Sequence, residues 1–137
     1  MGKMGIINAI IERANDGTYS VYSDADHLDY LITGTGNTAE EAITMFKNGY
    51  EDTKRFYEEE GKYFQKSEFQ FVYDMSSFLS YFCKAFSLAG LSRITGINKY
   101  QLSHYLTGRR KPSKETFEKI ETSIHQFAED LNKVRFA

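Results

Sequence analysis

Cysteine is almost absent from this 137-residue chain: Cys83 stands alone, which excludes an internal disulfide and a multi-thiolate zinc site and leaves a buried, inert thiol as the expectation. Long apolar runs are missing as well. The longest are interrupted within about five residues, and no basic stretch precedes an apolar segment of signal-peptide length. Neither a membrane span nor a signal peptide is therefore expected, and the chain reads as cytoplasmic. A glycine-rich phosphate loop is also lacking, since Gly34-Thr35-Gly36 has none of the rest of that fingerprint. His104 and His125 sit in helical patterns away from any Ser or Cys nucleophile candidate, so a catalytic triad has little support. The one dense set of metal-ligand types is Asp24, Asp26, His27 and Asp29. A calcium loop of the EF-hand kind would need Gly and Glu where Asp29 and Thr35 stand, so a solvated acidic loop is expected instead. No cofactor, no metal and no catalytic residue is expected, and the chain reads as a protein that is not an enzyme.

What is there is ordinary globular material: 41% apolar, 15% aromatic and 26% charged residues argue against disorder, and the length suits one medium domain or two very small ones. The charge is unevenly spread. Residues 1–74 carry 7 basic against 14 acidic side chains, a net of −7, whereas residues 75–137 carry 10 against 5, a net of +5. Between Asp74 and Glu115 stand Lys84, Arg93, Lys99, Arg109, Arg110, Lys111 and Lys114 with no acid among them. That asymmetry points to a polyanion-binding half joined to an acidic half.

The first half alternates as a sheet does. Ile6 to Arg13 is rich in β-branched residues, Asn15-Asp16-Gly17 supplies a turn, and Thr18 to Ser23 sets Tyr19 and Val21 against Ser20 and Tyr22. A third strand is expected near Tyr30 to Thr35, weakened at its end by Gly34 and Gly36. Thr38 and Glu41 have capping-box spacing and should start a helix. Ala39, Ala42, Ile43, Phe46, Tyr50, Thr53 and Tyr57, with Phe56 beside the last, mark one buried stripe. Glu58-Glu59-Glu60 opposes the helix dipole, so the helix should fray there and stop at Gly61. A fourth strand follows over Glu68 to Asp74.

The second half has no strand pattern. Phe78, Leu79, Phe82, Cys83 and Phe86 form an apolar stripe, Gly90 to Thr95 and Asn98 to Thr107 read as short helices, and Ser113 opens a long one. In that last helix Phe117, Ile120, Ile124, Phe127, Leu131 and Val134 step by three and four, a seam that fits either the domain's own core or the packing of a homodimer. Leu88 to Gly108 fits a helix-turn-helix. Gly96 ends the first helix in a left-handed conformation, Ile97 plugs the angle between the two, and Asn98 caps the second with Gln101 completing the box. Leu91, Ile94, Leu102 and Leu106 then face inward, and Lys99, Tyr100, Ser103 and His104 outward.

A helix of this kind enters the major groove with its N-terminal residues against base edges. Gln101 suits adenine, Lys99 suits guanine or a phosphate, and the Tyr100 ring suits thymine methyls. Arg109, Arg110 and Lys111, followed by Pro112, lie where backbone phosphates would pass, and Ser92 and Arg93 can hold a phosphate from the first helix. The expected DNA-contacting set is thus Ser92, Arg93, Asn98, Lys99, Tyr100, Gln101, His104, Arg109, Arg110 and Lys111.

Leu91 to Ser113, with G-I-N-K-Y-Q-L-S-H-Y-L-T-G-R-R-K-P-S, resembles the Cro/repressor (Xre-like) helix-turn-helix. The first half, with I-I-N-A-I-I-E-R-A-N-D-G-T-Y-S-V-Y and then I-T-G-T-G-N-T-A-E-E-A-I, resembles the N-terminal domain of HicB antitoxins. The resemblance implies a partial ribonuclease H-like sheet followed by a DNA-binding domain. It further implies a HicA-like, mRNA-cleaving toxin as partner of the N-terminal domain and repression of the operon by the C-terminal one. The whole chain is accordingly expected to be α+β. A β-β-β-α-β toxin-binding domain spans residues 1–74, and an all-α helix-turn-helix domain for DNA binding and dimerisation spans residues 75–137. Double-stranded operator DNA, the toxin and a second copy of the chain are the expected partners, with no membrane. Two other functions compete: a one-component transcription regulator whose N-terminal domain senses a ligand, and a metal-dependent nuclease.

Overall fold

The computed structural model describes residues 5–137; the chain divides into two compact units, with the boundary between Asp74 and Met75. Together they are α+β, with a four-stranded mixed sheet in the first unit.

In the first unit, β1 (Ile6–Arg13), β2 (Tyr19–Ser23) and β3 (Thr33–Gly36) form an antiparallel meander. Helix α1 (Ala39–Glu59) then crosses to β4 (Glu68–Tyr73), which lies parallel to β1 and gives the order β3-β2-β1-β4. The hairpin between β1 and β2 closes because Gly17 takes φ +87° and Asp16 accepts from both the amide and the hydroxyl of Thr18, at 2.9 and 2.6 Å. Register sets Ile7, Ala9, Ile11, Tyr19, Val21, Phe69 and Phe71 on the face that α1 covers. There Phe46 meets Phe69 and Phe71 edge-on at 4.9 and 5.6 Å.

Gly34 and Gly36 were expected to weaken β3, and they have a positive role. A Cβ on Gly34 would collide with the Ala42 carbonyl and lie 2.5 Å from the Phe46 nitrogen, and one on Gly36 would lie 2.6 Å from Glu41 Cβ. Only bare backbone lets the helix lie this close to the strand. β3 begins at Thr33 rather than near Tyr30, because Tyr30 is drawn into a separate aromatic cluster. Its ring stacks on Phe64 at 4.8 Å, and its hydroxyl donates to the Gln65 carbonyl at 2.7 Å. Tyr50 and Tyr57 join this cluster, which fastens the segment after α1 onto the helix. Phe56 does not belong to the stripe: it is exposed, one helical step beyond the face that the cluster covers.

Thr38 caps α1, accepting from the Glu41 amide at 3.1 Å. The reciprocal arm differs from the expected box, since Glu41 accepts from the Asn37 amide at 2.8 Å. At the other end Gly61, φ +66°, donates to the Glu58 carbonyl while Lys62 donates to that of Tyr57, the paired bonds of a Schellman ending.

The second unit holds α2 (Met75–Phe82), α3 (Leu88–Thr95), α4 (Lys99–Leu106) and α5 (Lys114–Asn132). Its core is Met75, Leu79, Leu91, Ile97, Leu102, Tyr105 and Ile120, with Phe78, Phe86, Leu88, Leu106 and Ile124 packed around it. The Ser76 hydroxyl donates to the Leu106 carbonyl at 2.7 Å and ties α2 to the end of α4. Cys83 is exposed, against expectation, because α2 ends one residue before it. Its Sγ donates to the Ser80 carbonyl at 3.1 Å.

The α5 seam divides in two. Ile120 is buried and Ile124 packs on the core, Phe127 meets Phe86 at 5.8 Å, but Phe117 and Leu131 are exposed. Val134 falls beyond the helix end at Asn132. Among the described residues, no helix is long and apolar enough to cross a membrane.

Candidate nucleic-acid interface

The segment from Ser87 to Ser113 is shaped by side-chain caps and two left-handed glycines. Ser87 accepts from the Gly90 amide at 2.9 Å and starts α3 two residues earlier than the expected Gly90. Gly96, at φ +73°, ends α3 with its amide donating to the Ser92 carbonyl at 2.8 Å, and Ile97 then drops into the core. Thr95 completes the turn from inside. Its buried hydroxyl donates to the Leu91 carbonyl at 2.7 Å and accepts from the Ile97 amide at 3.2 Å, so a backbone donor that leaves the helix ladder is still paired.

Asn98 caps α4 by accepting from the Tyr100 amide at 2.7 Å. The side-chain carbonyl of Asn98 is thereby committed to the helix start, leaving its amide N–H groups for a ligand. Gln101 does not complete a capping box. Its Nε2 turns the other way and donates to the Tyr105 hydroxyl, one helical turn on, at 2.7 Å.

The tip of α4 is open. Asn98, Lys99, Tyr100 and Gln101 are all exposed, with 74% of the Tyr100 surface accessible, and Lys99 Nζ lies 6.0 Å from the Tyr100 ring centre. Ser103 and His104, expected outward, are half-buried. Of the expected inward residues, Leu91 and Leu102 are buried while Ile94 and Leu106 are half-buried. The core residue missed in this helix is Tyr105, only 4% exposed. Its spacing of three from Leu102 carried the signal, which its polar hydroxyl obscured.

After α4, Gly108 takes φ +77° and donates to the Tyr105 carbonyl at 3.2 Å, and the Arg110 amide donates to that of His104 at 3.3 Å. Arg109, Arg110 and Lys111 are exposed beside the helix C-terminus, where its partial negative charge favours cations. Pro112 is buried, and Ser113 caps α5 through the Thr116 amide at 3.2 Å. On α3, Ser92 is half-buried and Arg93 exposed. All seven bases of the acid-free window are exposed, and none forms an ion pair among the described residues. An ion pair of Arg55 with Asp52 belongs to the first unit.

The first unit carries the opposite charge on the sheet face turned away from α1. Register there brings Ile10 beside Tyr22 and Val72, with Glu12 and Glu68 on the same face and Asp24 and Asp74 closing the strands. The Tyr22 hydroxyl donates to Glu12 at 2.9 Å. Desolvation first, then that bond and the charges of Glu12, Asp24 and Asp74, push the phenol up to about 12. Asp24, Asp26, His27 and Asp29 do not converge. Among the described residues, no group of three or more His, Cys, Asp or Glu side chains is arranged to hold a metal ion.

No protein-family model matches the chain, and neither a curated protein nor a solved structure does.

Proposed function

We propose that the chain is a DNA-binding antitoxin of the kind its sequence resembles. In this reading α3 and α4 form a helix-turn-helix that represses transcription from the chain's own operator. The acidic first unit covers a small, basic, mRNA-cleaving toxin of HicA type by charge complementarity. One helix reads only a half-site, so the active form is a homodimer.

A single observation carries the reading: the Asn98-capped tip of α4 is solvent-exposed and lies within a window of seven bases without an acid, none of them ion-paired among the described residues. Phosphates exchange their counterions for such charges, and the exposed side chains at a helix N-terminus are the ones that reach base edges. The toxin half of the proposal is supported by the net −7 of residues 1–74 and by the carboxylates around Tyr22.

Co-expression with the product of the short basic reading frame beside the gene tests the proposal, together with binding to the intervening promoter DNA. A stable complex, restored growth and a footprint on the promoter are expected. DNA binding without a neighbouring partner would instead make the chain a one-component regulator. RNA degradation by the purified chain in magnesium, lost on Asp24→Asn, would make it a nuclease.

A further inference from the structure

The bond between Gln101 and Tyr105 joins an exposed side chain at the tip of α4 to one that is locked in the core. Tyr105 is packed in the same cluster as Leu79, Leu91, Leu102 and Ile120, so its hydroxyl has a fixed position. A free surface glutamine samples many rotamers and loses that freedom on binding a base. Here the 2.7 Å bond from Nε2 holds the amide before any ligand arrives.

The bond also edits what the amide can recognise. A primary amide offers two N–H donors and one carbonyl acceptor. With one N–H given to the phenol, one N–H donor and the carbonyl acceptor remain. The major-groove edge of adenine presents N7 as acceptor and N6 as donor, the complementary pair, whereas guanine presents two acceptors and needs two donors.

We propose that Tyr105 is a positioning residue: its buried hydroxyl holds the Gln101 amide so that α4 selects adenine and rejects guanine at one place in the operator. The inference rests on the DNA-binding reading and extends it to a residue that touches no DNA.

The test selects duplexes from a random library with the full-length chain, then measures binding to the preferred duplex and to its single-base variants across a salt series. Wild type should prefer adenine over guanine at one position by about tenfold or more. Tyr105→Phe should bind with the same salt slope and the same affinity for random DNA but lose most of that preference. Gln101→Ala should lose it too, and the double variant should be no worse than Gln101→Ala alone. Unchanged adenine preference in Tyr105→Phe, with loss in Gln101→Ala, would overturn the role of Tyr105 and leave the DNA-binding reading intact. Preference retained in Gln101→Ala would overturn the base-reading role as well. No binding of any duplex by wild type would sink both proposals. Should Tyr105→Phe fail to fold, nitrogen-edited NMR of the wild-type Gln101 side chain decides. One N–H exchanging with solvent much more slowly than its partner on the same nitrogen supports the bond, and two equally fast ones overturn it.

Discussion

Thr95 shows how much one hydroxyl can do in a tight turn. It satisfies the Leu91 carbonyl on one side and the Ile97 amide on the other, both out of water. Thr95→Val keeps the shape and removes the hydroxyl, leaving the Ile97 donor unpaired, which should cost about 1 to 3 kcal/mol in chemical denaturation. Tyr22 makes a prediction about pH. Its folded-state value of about 12 lies above the ordinary 10, so the unfolded chain gives up its proton first as pH rises. Stability from this group is complete below pH 10 and is lost toward 12. Alkaline unfolding of Tyr22→Phe should lack this component, and a late-ionising phenol seen in spectrophotometric titration of the wild type should be missing from the variant. Asp16 acts with the opposite sign. The Thr18 hydroxyl and then its amide hold the carboxyl below its usual range, so its contribution is present above that range and disappears as pH falls through the lowered value.

At the scale of elements, α5 divides its labour along its length. Ile120 is in the core, whereas Leu131 is 60% exposed. The proposed homodimer is expected along this distal stretch. Leu131→Glu should give a monomer in sedimentation, with a melting temperature that no longer rises with protein concentration; a mutant that stays dimeric would move the interface elsewhere. The pattern of α5 was legible because its period is regular, but period alone does not say which half meets its own domain. Caps were legible for the same local reason: Thr38, Asn98 and Ser113 stand just ahead of their helices. What escaped had several causes. Tyr30 left the strand for Phe64, a partner distant in sequence; Cys83 fell just outside α2; and Gln101 turned from its cap to a phenol one helical turn on, whose polarity masked its burial.

For the whole molecule, the division of charge predicts how the proposed DNA binding responds to salt. In that proposal the bases after α4 meet phosphates without reading sequence, so Arg110→Ala should weaken binding to every duplex alike and reduce the salt slope by about one. Equal retention of slope and affinity would remove Arg110 from the interface. The candidate contacts were legible because composition alone reveals an acid-free window. The bond from Gln101 to Tyr105 was not legible, since it depends on which side chains the core holds still. The sheet has its own consequence for the order in which the chain matures. β1 lies between β2 and β4, and β4 ends at Tyr73. A nascent chain therefore emerges with its earliest strand paired on one side only, its other edge a template for aggregation until some sixty further residues have been synthesised. Fragments ending at residue 66 should aggregate in light scattering where longer ones do not, which would make the final strand the clasp that renders synthesis of this unit safe.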